Sequence, residues 1–350
     1  MDRSLPRLAT SQQAADPIAQ AEASARRRMV GLLAALILAC AGYLFWGLGF
    51  GDFGPRWRFV FELRAGKLAG MLLVGAAVAV ATMVFQTVCR NRILTPQIMG
   101  FDALYILMQT GLVAGLGLTQ YASLPAQGKF ALEVLIMIGA ALLLFGSLLG
   151  GGRQRRGQGG GQDVARLVLT GVILGVLFRS ISGFLTRIMD PNAFATVQSA
   201  SFASFSRVNT ELLPVAAALC ILGIALALWL APKLDVLALG RPIAISLGLA
   251  HDRIVLAALA IVAVLVSVAT ALVGPVAFFG LLISGLAYEL CPTARHARLL
   301  PMAMLLSTLM LVAGQTLFER GLGMQSTLSV VIEFAGGLFF LWLLLKGRMR

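Results

Sequence analysis

Long apolar runs, separated by short polar segments, make up most of the chain. A helix needs roughly 20 apolar residues to cross about 30 Å of hydrocarbon, and ten runs are near that length. They lie at 29–50, 68–89, 98–118, 130–150, 164–187, 212–231, 254–273, 274–290, 299–318 and 328–345. The pattern therefore predicts an all-α polytopic membrane protein with about ten transmembrane helices. An even number of spans places both termini on one side.

The composition agrees with this architecture, because 59% of the residues are hydrophobic and only 12% are charged, unlike a soluble domain. The net charge of +13 does not indicate nucleic acid, since the basic residues lie in short segments between apolar runs rather than on one face of a soluble domain. With the termini placed inside, the inner segments hold 19 of the 28 Lys and Arg residues. By the positive-inside rule, both termini are predicted to be cytoplasmic.

The first 28 residues differ from the rest of the chain. They are polar and rich in Ala, Gln and Arg, so we expect residues 1–28 to form a disordered cytoplasmic tail. The apolar run that follows is long for a signal peptide and lacks a clear small-residue cleavage site. Residues 29–347 are then expected to form one ten-span domain, with the Gly-rich stretch 153–162 as a flexible cytoplasmic loop.

The chemistry-bearing residues do not indicate an enzyme. A phosphate-binding GxxxxGK[ST] loop is missing from the sequence. The only two histidines, His251 and His296, fall in predicted inner loops, where they provide neither a paired-histidine metal site nor a Ser-His-Asp triad. The four cysteines have no CxxC spacing and indicate neither a disulfide framework nor a metal site. We expect no metal or cofactor to be bound by this chain itself.

Five of the ionisable residues within apolar runs are candidates for a role, because a charge there is costly and usually faces a cavity or a partner. Asp102, Glu133 and Glu289 lie within a turn or two of a span end and can cap a helix or reach the interface. Arg179 and Glu333 lie deeper, and either line a polar path or form an interhelical hydrogen bond or ion pair. A proton-coupled secondary transporter that uses Glu333 as its relay is therefore an alternative of a different class.

Two stretches fit neither a span nor a plain loop. Residues 190–213 alternate Ser and Phe with few charges, and form either a short helix or re-entrant segment at an outer vestibule, or a surface loop. Breaks at Pro232, Gly240 and Pro242 delimit the stretch at residues 233–251, whose apolar residues on each side of Gly240 predict two short amphipathic cytoplasmic helices. Such helices can lie on the lipid surface or fit the groove of a soluble partner.

Several motifs together, from about residue 55 to 347, resemble the permease family of bacterial ABC importers for iron-siderophore complexes, heme and vitamin B12. The stretch LRAGKL at 63–68 resembles the family's Arg-x-Pro-Arg, with Arg64 and Lys67 in the basic positions. The stretch RNRILTPQIMG at 90–100 resembles Arg-Asn-Pro-Leu-Ala-x-Pro-x-x-Leu-Gly, with Arg92 where the family usually has Pro.

Three further motifs occur in the family's order. LALGRPIAISLGL at 237–249 resembles Leu-Ser-Leu-Gly followed by Ala-x-x-Leu-Gly, and GPVAFFGL at 274–281 resembles Gly-Pro-Ile-x-Phe-x-Gly-Leu. The last span's AGGLFF resembles Ile-Gly-x-Pro-x-Phe, with Leu338 in place of Pro. The Pro-His and Arg that usually follow the second of these motifs are replaced here by Ser284, Gly285 and Tyr288. These departures suggest a divergent branch of the family.

The resemblance implies a homodimer or heterodimer of permeases in the bacterial cytoplasmic (inner) membrane, two cytoplasmic ATPase subunits that bind ATP and Mg²⁺, and an extracytoplasmic substrate-binding protein. It implies that residues at the outer ends of spans dock the binding protein: Arg64, Lys67 and Arg320. It implies that the short cytoplasmic helices contact the ATPase through Leu237, Leu239, Gly240, Arg241, Ala244, Leu247 and Gly248. By position, the candidates for the translocation path are Gln198, Ser199, Ser201, Phe202, Phe205, Arg179 and Glu333.

The sequence therefore favours the permease subunit of an ATP-driven importer that moves an iron(III)-siderophore complex inward by alternating access. A heme or cobalamin permease is the alternative within the family, and the proton-coupled transporter is the alternative outside it. In the importer scheme, ATP hydrolysis belongs to a separate subunit and no covalent chemistry falls to this chain.

Overall fold

A computed structural model describes residues 12–46, 55–150, 161–321, 323 and 328–345. The described residues form twelve α-helices and no strand, so the predicted all-α class is confirmed. The helices are α1 (Gln12–Phe45), α2 (Pro55–Cys89), α3 (Phe101–Ser123), α4 (Ala126–Gly150), α5 (Gly161–Arg187), α6 (Pro191–Ala200), α7 (Leu213–Ala238), α8 (Arg241–Ser246), α9 (His251–Val273), α10 (Phe279–Leu290), α11 (His296–Thr316) and α12 (Leu328–Leu345). Short 3₁₀ turns cover Pro96–Met99, Phe205–Arg207 and Thr210–Leu212, and a π turn covers Leu317–Gly321.

Eight of these helices are long and apolar enough to cross a membrane, so the chain is a multi-pass membrane protein. The remaining apolar helices, α10 and α12, are shorter, and together the ten correspond to the ten predicted runs. The run at 274–290 is only partly a span, because Gly274 (φ 96°) and Phe278 (φ 57°) keep residues 274–278 out of the helical conformation. The 12 residues of α10 reach about 18 Å, short of the hydrocarbon thickness.

The core lies around α2 and α9. In the apolar stretch of α2 83% of the residues are buried, and in α9 67%, against 11% in α1 and 17% in α5. Helices α7 and α11 pack on α2, helices α4 and α7 pack on α9, and α1 packs on α11. Because α5 leaves most of its apolar surface uncovered, that surface faces either lipid or another subunit.

Glycines allow the closest approach between α3 and α5, as small residues do in membrane helices. Gly100 caps α3 with φ 91°, and a Cβ added to it would lie 2.8 Å from the Cα of Gly175 on α5. Gly171, one turn earlier on α5, faces Met99 in the same way. These glycines therefore let α3 and α5 pack closely.

Two expectations about short segments are wrong. Residues 12–28 belong to α1 rather than to a disordered tail, and residues 1–11 lie outside the described part of the chain. Helix α7 continues through Pro232 to Ala238, so the predicted pair of cytoplasmic helices is the end of α7 and one short helix, α8. The proline does not end α7 because Ala231 and Leu234 beside it are fully packed in the core, and tertiary packing overrides a local breaker. Of the predicted loop 153–162, residues 153–160 lie outside the description.

Candidate functional site

Helix α8 presents a small apolar surface at the corner where α7 ends. Gly240 turns the chain with φ 97°, and Pro242 occupies the first turn of α8, where its missing N–H costs nothing. Four large apolar side chains beside this turn are at least half exposed, and we call them the α8 surface: Leu239, Ile243, Ile245 and Leu247. An exposed apolar patch of this kind at the end of a bundle is typical of an interaction site.

The residues predicted to contact an ATPase divide into two groups. Leu239 and Leu247 belong to the α8 surface, whereas Leu237 and Ala244 are buried within the chain and support α8 from below. They are therefore not available to a partner. Sequence reasoning did not select Ile243 and Ile245, because their exposure depends on the rotation of α8, which the sequence does not give.

Polar contacts fix α8 to its neighbours. The Arg241 Nη2 lies 3.3 Å from the Asp252 Oδ2, which joins α8 to the first turn of α9. Gly240 packs against the guanidinium of Arg90, where an added Cβ would lie 3.0 Å from Nη1. Gly248, with φ 81°, has open space around it and ends the corner. These contacts connect α8 to the first turn of α9 and to the end of α2.

A second connection, which we call the inner joint, consists of Asp235, His296 and Thr87. The Asp235 Oδ1 accepts a hydrogen bond from the His296 backbone N at 2.8 Å and lies 2.6 Å from its Nδ1. The His296 Nε2 lies 2.7 Å from the Thr87 Oγ1, and that hydroxyl donates to the Met83 O at 2.8 Å. Because the imidazole is buried, the joint ties α7, α11 and α2 together just before the α8 corner.

The deep charges predicted as path candidates meet around a third residue. Asp102 on α3 lies within electrostatic reach of both Arg179 on α5 and Glu333 on α12. Its Oδ1 is buried and has no hydrogen-bond partner among the described residues, whereas Arg179 is exposed and Glu333 is half-buried. The structure confirms that Asp102 lies at a helix end, since it belongs to the first turn of α3. At that position it also lies within electrostatic reach of the charges on α5 and α12.

The other path candidates lie on α6 and the turn that follows it. Asp190 caps α6 by accepting from the Asn192 N at 2.8 Å, so the segment contains a short helix, one of the two expected forms. Gln198 is exposed, and Ser199, Ser201 and Phe202 are half-buried. Phe205 is 2% exposed and belongs to the core, so it does not line an open path.

The hydroxyls of Ser199 and Ser201 donate to carbonyls of their own helix, at 2.8 Å and 3.1 Å. The turn after α6 is fixed to the end of α9, because the Ser204 N donates to the Val273 O at 2.8 Å. Gly274 packs on the same turn, where an added Cβ would lie 3.2 Å from the Cα of Ala203. The α6 segment is therefore anchored to the link between α9 and α10.

At the other end of the bundle, Arg64 has a structural role. Its Nη1 donates to the Leu44 O at 2.7 Å and to the Trp46 O at 3.0 Å, and so caps the end of α1. Only 8% of Arg64 is exposed, so its guanidinium is not available for docking. Lys67 and Arg320 are half-buried and remain candidates.

Arg320 has an acidic neighbour that sequence reasoning missed. The Glu319 Oε1 accepts from the Ser206 Oγ at 2.9 Å and from the Gln315 Nε2 at 2.5 Å. This polar network joins α11 and its π turn to the segment after α6. Arg320 was selected through the family resemblance, whereas the general signal of an ionisable residue at a span end would also have selected Glu319.

Glu133 belongs to a separate buried network between α3 and α4. Its Oε1 accepts from the Gln109 Nε2 at 2.8 Å and lies 3.9 Å from the Lys129 Nζ. The Tyr121 hydroxyl donates to the Gln109 Oε1 at 2.7 Å. These partners satisfy a buried carboxylate within one pair of helices, so Glu133 neither caps a helix nor reaches the interface as expected. Glu289 lies near the end of α10 and is exposed.

Comparison with known proteins supports the importer architecture. The chain is 40% identical over 319 residues to the petrobactin import system permease protein YclO of Bacillus subtilis, covering 91% of this chain and 96% of that protein. It is 30% identical over 325 residues to the vitamin B12 import system permease protein BtuC of Escherichia coli, covering 90% and 92%. Its fold matches a metal-chelate type ABC transporter in an inward-facing conformation with a TM-score of 0.77 and 22% identity, covering 92% of this chain and 99% of that one. Residues 51–346 match the sequence model of the FecCD transport family. The chain therefore belongs to that family.

Proposed function

We propose that this chain is the permease subunit of an ATP-driven importer that carries an iron(III)-siderophore complex into the cytoplasm. The observation that carries the proposal is the 40% identity with a petrobactin permease across 91% of the chain. The identity with the vitamin B12 permease is 30% over a similar length, which favours a siderophore over cobalamin. Membership of the FecCD transport family favours ATP-driven transport over a proton relay through Glu333.

An ABC importer permease works with an ATPase and a substrate-binding protein. We expect two ATPase subunits, which bind ATP and Mg²⁺, and a dimer of permeases that is either homomeric or heteromeric. The ATPase contact is the α8 surface, because its leucine and isoleucine side chains are exposed while Leu237 and Ala244 beneath them are buried. An apolar helix that lies in a groove is a common way for one protein to bind another.

The expected mechanism is alternating access. When ATP brings the two ATPase subunits together, each α8 moves with the ATPase subunit to which it is bound. The pair of Arg241 and Asp252 passes that displacement to α9, and the inner joint of Asp235, His296 and Thr87 passes it to α11 and α2. The helices around the path then separate on one side of the membrane and approach on the other.

The proposed path runs along the open face of α5 and α12. Support comes from the exposed Arg179 and from its carboxylate neighbours Asp102 and Glu333, because charges at membrane depth usually face water or a partner. A large iron chelate needs a wide path that binds it weakly. The exposed Gln198 on α6 extends the polar lining at one end of this face.

We assign docking of the binding protein to Lys67 and Arg320. If the termini are cytoplasmic, the ends of the spans that carry these two residues lie outside. Their half-buried side chains leave part of each charge available to carboxylates of the binding protein. Arg64 acts indirectly, since it holds the end of α1 beside Arg320 through the Trp46 O.

Uptake of labelled iron tests the proposal. The chain is expressed together with the ATPase and binding protein of its gene cluster, in a bacterial strain that lacks other siderophore permeases. We expect accumulation of iron supplied as ferric petrobactin, and no accumulation of heme or cobalamin. Replacing the phosphate-binding lysine of the ATPase provides the control and should abolish uptake. Uptake that survives this replacement and is stopped by a protonophore would instead establish the proton-coupled alternative. Uptake of heme or cobalamin alone would establish a different cargo.

A further inference from the structure

Helix α1 is longer than a single span requires. Its 34 residues extend about 51 Å, against about 30 Å of hydrocarbon. The N-terminal part packs on the start of α11 instead of standing alone. Ala25 is fully buried, the Arg28 Nη1 donates to the Leu290 O at 2.7 Å, and the Glu22 Oε1 lies 2.8 Å from the Arg295 Nη1. These contacts fix a rigid junction at the edge of the membrane.

A groove of about 570 Å³ lies along this junction. Its lining combines small apolar residues with three arginines and one glutamate: Ala19, Glu22, Ala23, Arg26, Arg27, Val30 and Arg298. Glu22 is already paired with Arg295. Within the described ranges, the side chains of Arg26, Arg27 and Arg298 form no ion pair, so the groove carries an excess of positive charge without a partner in this part of the chain.

The groove continues directly into an exposed apolar stripe of α1. Ala19, Ala23, Arg26 and Val30 follow one another at spacings of four, three and four, and therefore share one face of α1. The same spacing leads on to Leu33 and Ile37. Val30, Leu33 and Ile37 are 60%, 46% and 59% exposed, so the face changes from basic to apolar within two turns.

We propose that this groove binds the headgroup of an anionic phospholipid. The phosphate lies among Arg26, Arg27 and Arg298, and the acyl chains follow the stripe of Val30, Leu33 and Ile37. Arginine suits this task because its planar fork can donate two hydrogen bonds to one phosphate. Basic pockets between membrane helices on the cytoplasmic side are known lipid-binding features. A free phosphate uses the arginines but gains nothing from the apolar stripe.

The bound lipid bridges α1 and α11. Only 11% of the apolar stretch of α1 is buried by protein, so α1 has less internal support than the other spans. A lipid held by residues of both helices adds a contact between α1 and α11 at the point where α1 leaves the membrane. The proposal is independent of the transported substrate.

The test uses the full chain, purified with its ATPase in a neutral detergent. Short-chain phosphatidylglycerol, short-chain phosphatidylcholine and inorganic phosphate are titrated separately, and binding is measured by native mass spectrometry. We expect phosphatidylglycerol to bind at least tenfold more tightly than the other two. The variant R27Q/R298Q should lose about thirtyfold in affinity, since each basic residue near an anionic lipid surface contributes about 1 kcal/mol and about 1.4 kcal/mol corresponds to tenfold. The R27K/R298K variant keeps the charge but loses the bidentate fork, so its affinity should lie between those of R27Q/R298Q and the unaltered chain.

The matched control is R166Q/R253Q, which removes the same charge from exposed arginines that do not line the groove. Its affinity for phosphatidylglycerol should stay within twofold of the unaltered chain. Equal losses in the control and in R27Q/R298Q would overturn the proposal, because general surface charge would then explain binding. Binding of inorganic phosphate as tight as that of phosphatidylglycerol would overturn it in favour of a free-phosphate site.

Discussion

The inner joint allows a measurement of how firmly the α8 corner is held to the bundle. The substitution Asp235→Ala removes an acceptor that faces both the backbone N and the Nδ1 of His296, at 2.8 Å and 2.6 Å. A hydrogen bond to a charged group contributes about 1.5–3 kcal/mol. The side chain of Asp235 is 34% exposed, so water replaces part of what is lost at that end. The His296 side chain is only 5% exposed, and its donor is left unsatisfied.

We therefore expect Asp235→Ala to lower the free energy of unfolding by about 2–3 kcal/mol. Asp235→Asn keeps an acceptor oxygen and loses only the charge, which about halves the strength of such a bond, so we expect a loss of about 1 kcal/mol. Thr87→Val removes the partner of Nε2. Because both changes act through one imidazole, their effects should be coupled by about 0.5–3 kcal/mol in a double-mutant cycle.

Denaturant unfolding in detergent gives the stability, and reconstituted vesicles give the ATP hydrolysed for each iron complex transported. A loosened joint should raise that ratio, because ATPase movement would no longer be passed fully to α2 and α11. Glu211→Ala is the control, since this carboxylate is exposed and lies away from the joint. Additive effects of Asp235→Ala and Thr87→Val, with an unchanged ratio, would refute the joint as a unit.

Three further predictions concern other parts of the chain. Leu247→Asp, at a side chain that is 63% exposed, should leave folding intact and prevent co-purification of the ATPase; full co-purification and uptake would contradict the α8 contact. Gly100→Ala should lower the free energy of unfolding by about 2 kcal/mol, because of its φ of 91° and a Cβ placed 2.8 Å from Gly175. The control Gly111→Ala on α3, with open space around it, should be neutral or slightly stabilising. Equal effects of the two substitutions would contradict the packing argument. Arg320→Glu should slow association of the binding protein in a salt-dependent way, measured by stopped-flow kinetics, and an unchanged rate would remove Arg320 from the docking surface.

The spans were predictable because the requirement for crossing hydrocarbon is local. About 20 consecutive apolar residues are both necessary and visible in a sequence. The bounds were less predictable where a backbone angle or packing decides them. The left-handed conformation of Phe278 shortens α10, although phenylalanine gives no sign of it, and the buried Ala231 and Leu234 carry α7 past Pro232.

The site was predictable only where residues close in sequence act together. The α8 corner is such a case, since Gly240, Pro242 and the neighbouring apolar residues lie in one short motif. The inner joint is the opposite case. Asp235 and Thr87 meet at His296 from 61 and 209 positions away, and such a separation leaves no periodic pattern. The docking role of Arg64 was transferred from a motif. That the side chain is buried, with only 8% exposed, could not be read from the neighbouring residues in the sequence.

The packing of α2 gives a physical reason for the two ends of this bundle to respond to one another. Thr87 lies in its last turn and belongs to the inner joint, while Arg64 lies about 35 Å earlier along the same helix, at 1.5 Å per residue, and holds α1 through the Leu44 O. Because 83% of the apolar stretch between them is buried, and a close-packed helix moves as a rigid element, a shift at Thr87 cannot be absorbed within α2. It reaches Arg64 and the carbonyl of Trp46 that Arg64 shares with Arg320. An ATPase that acts on α8 therefore acts, through one rigid helix, on the surface where the binding protein is expected to dock.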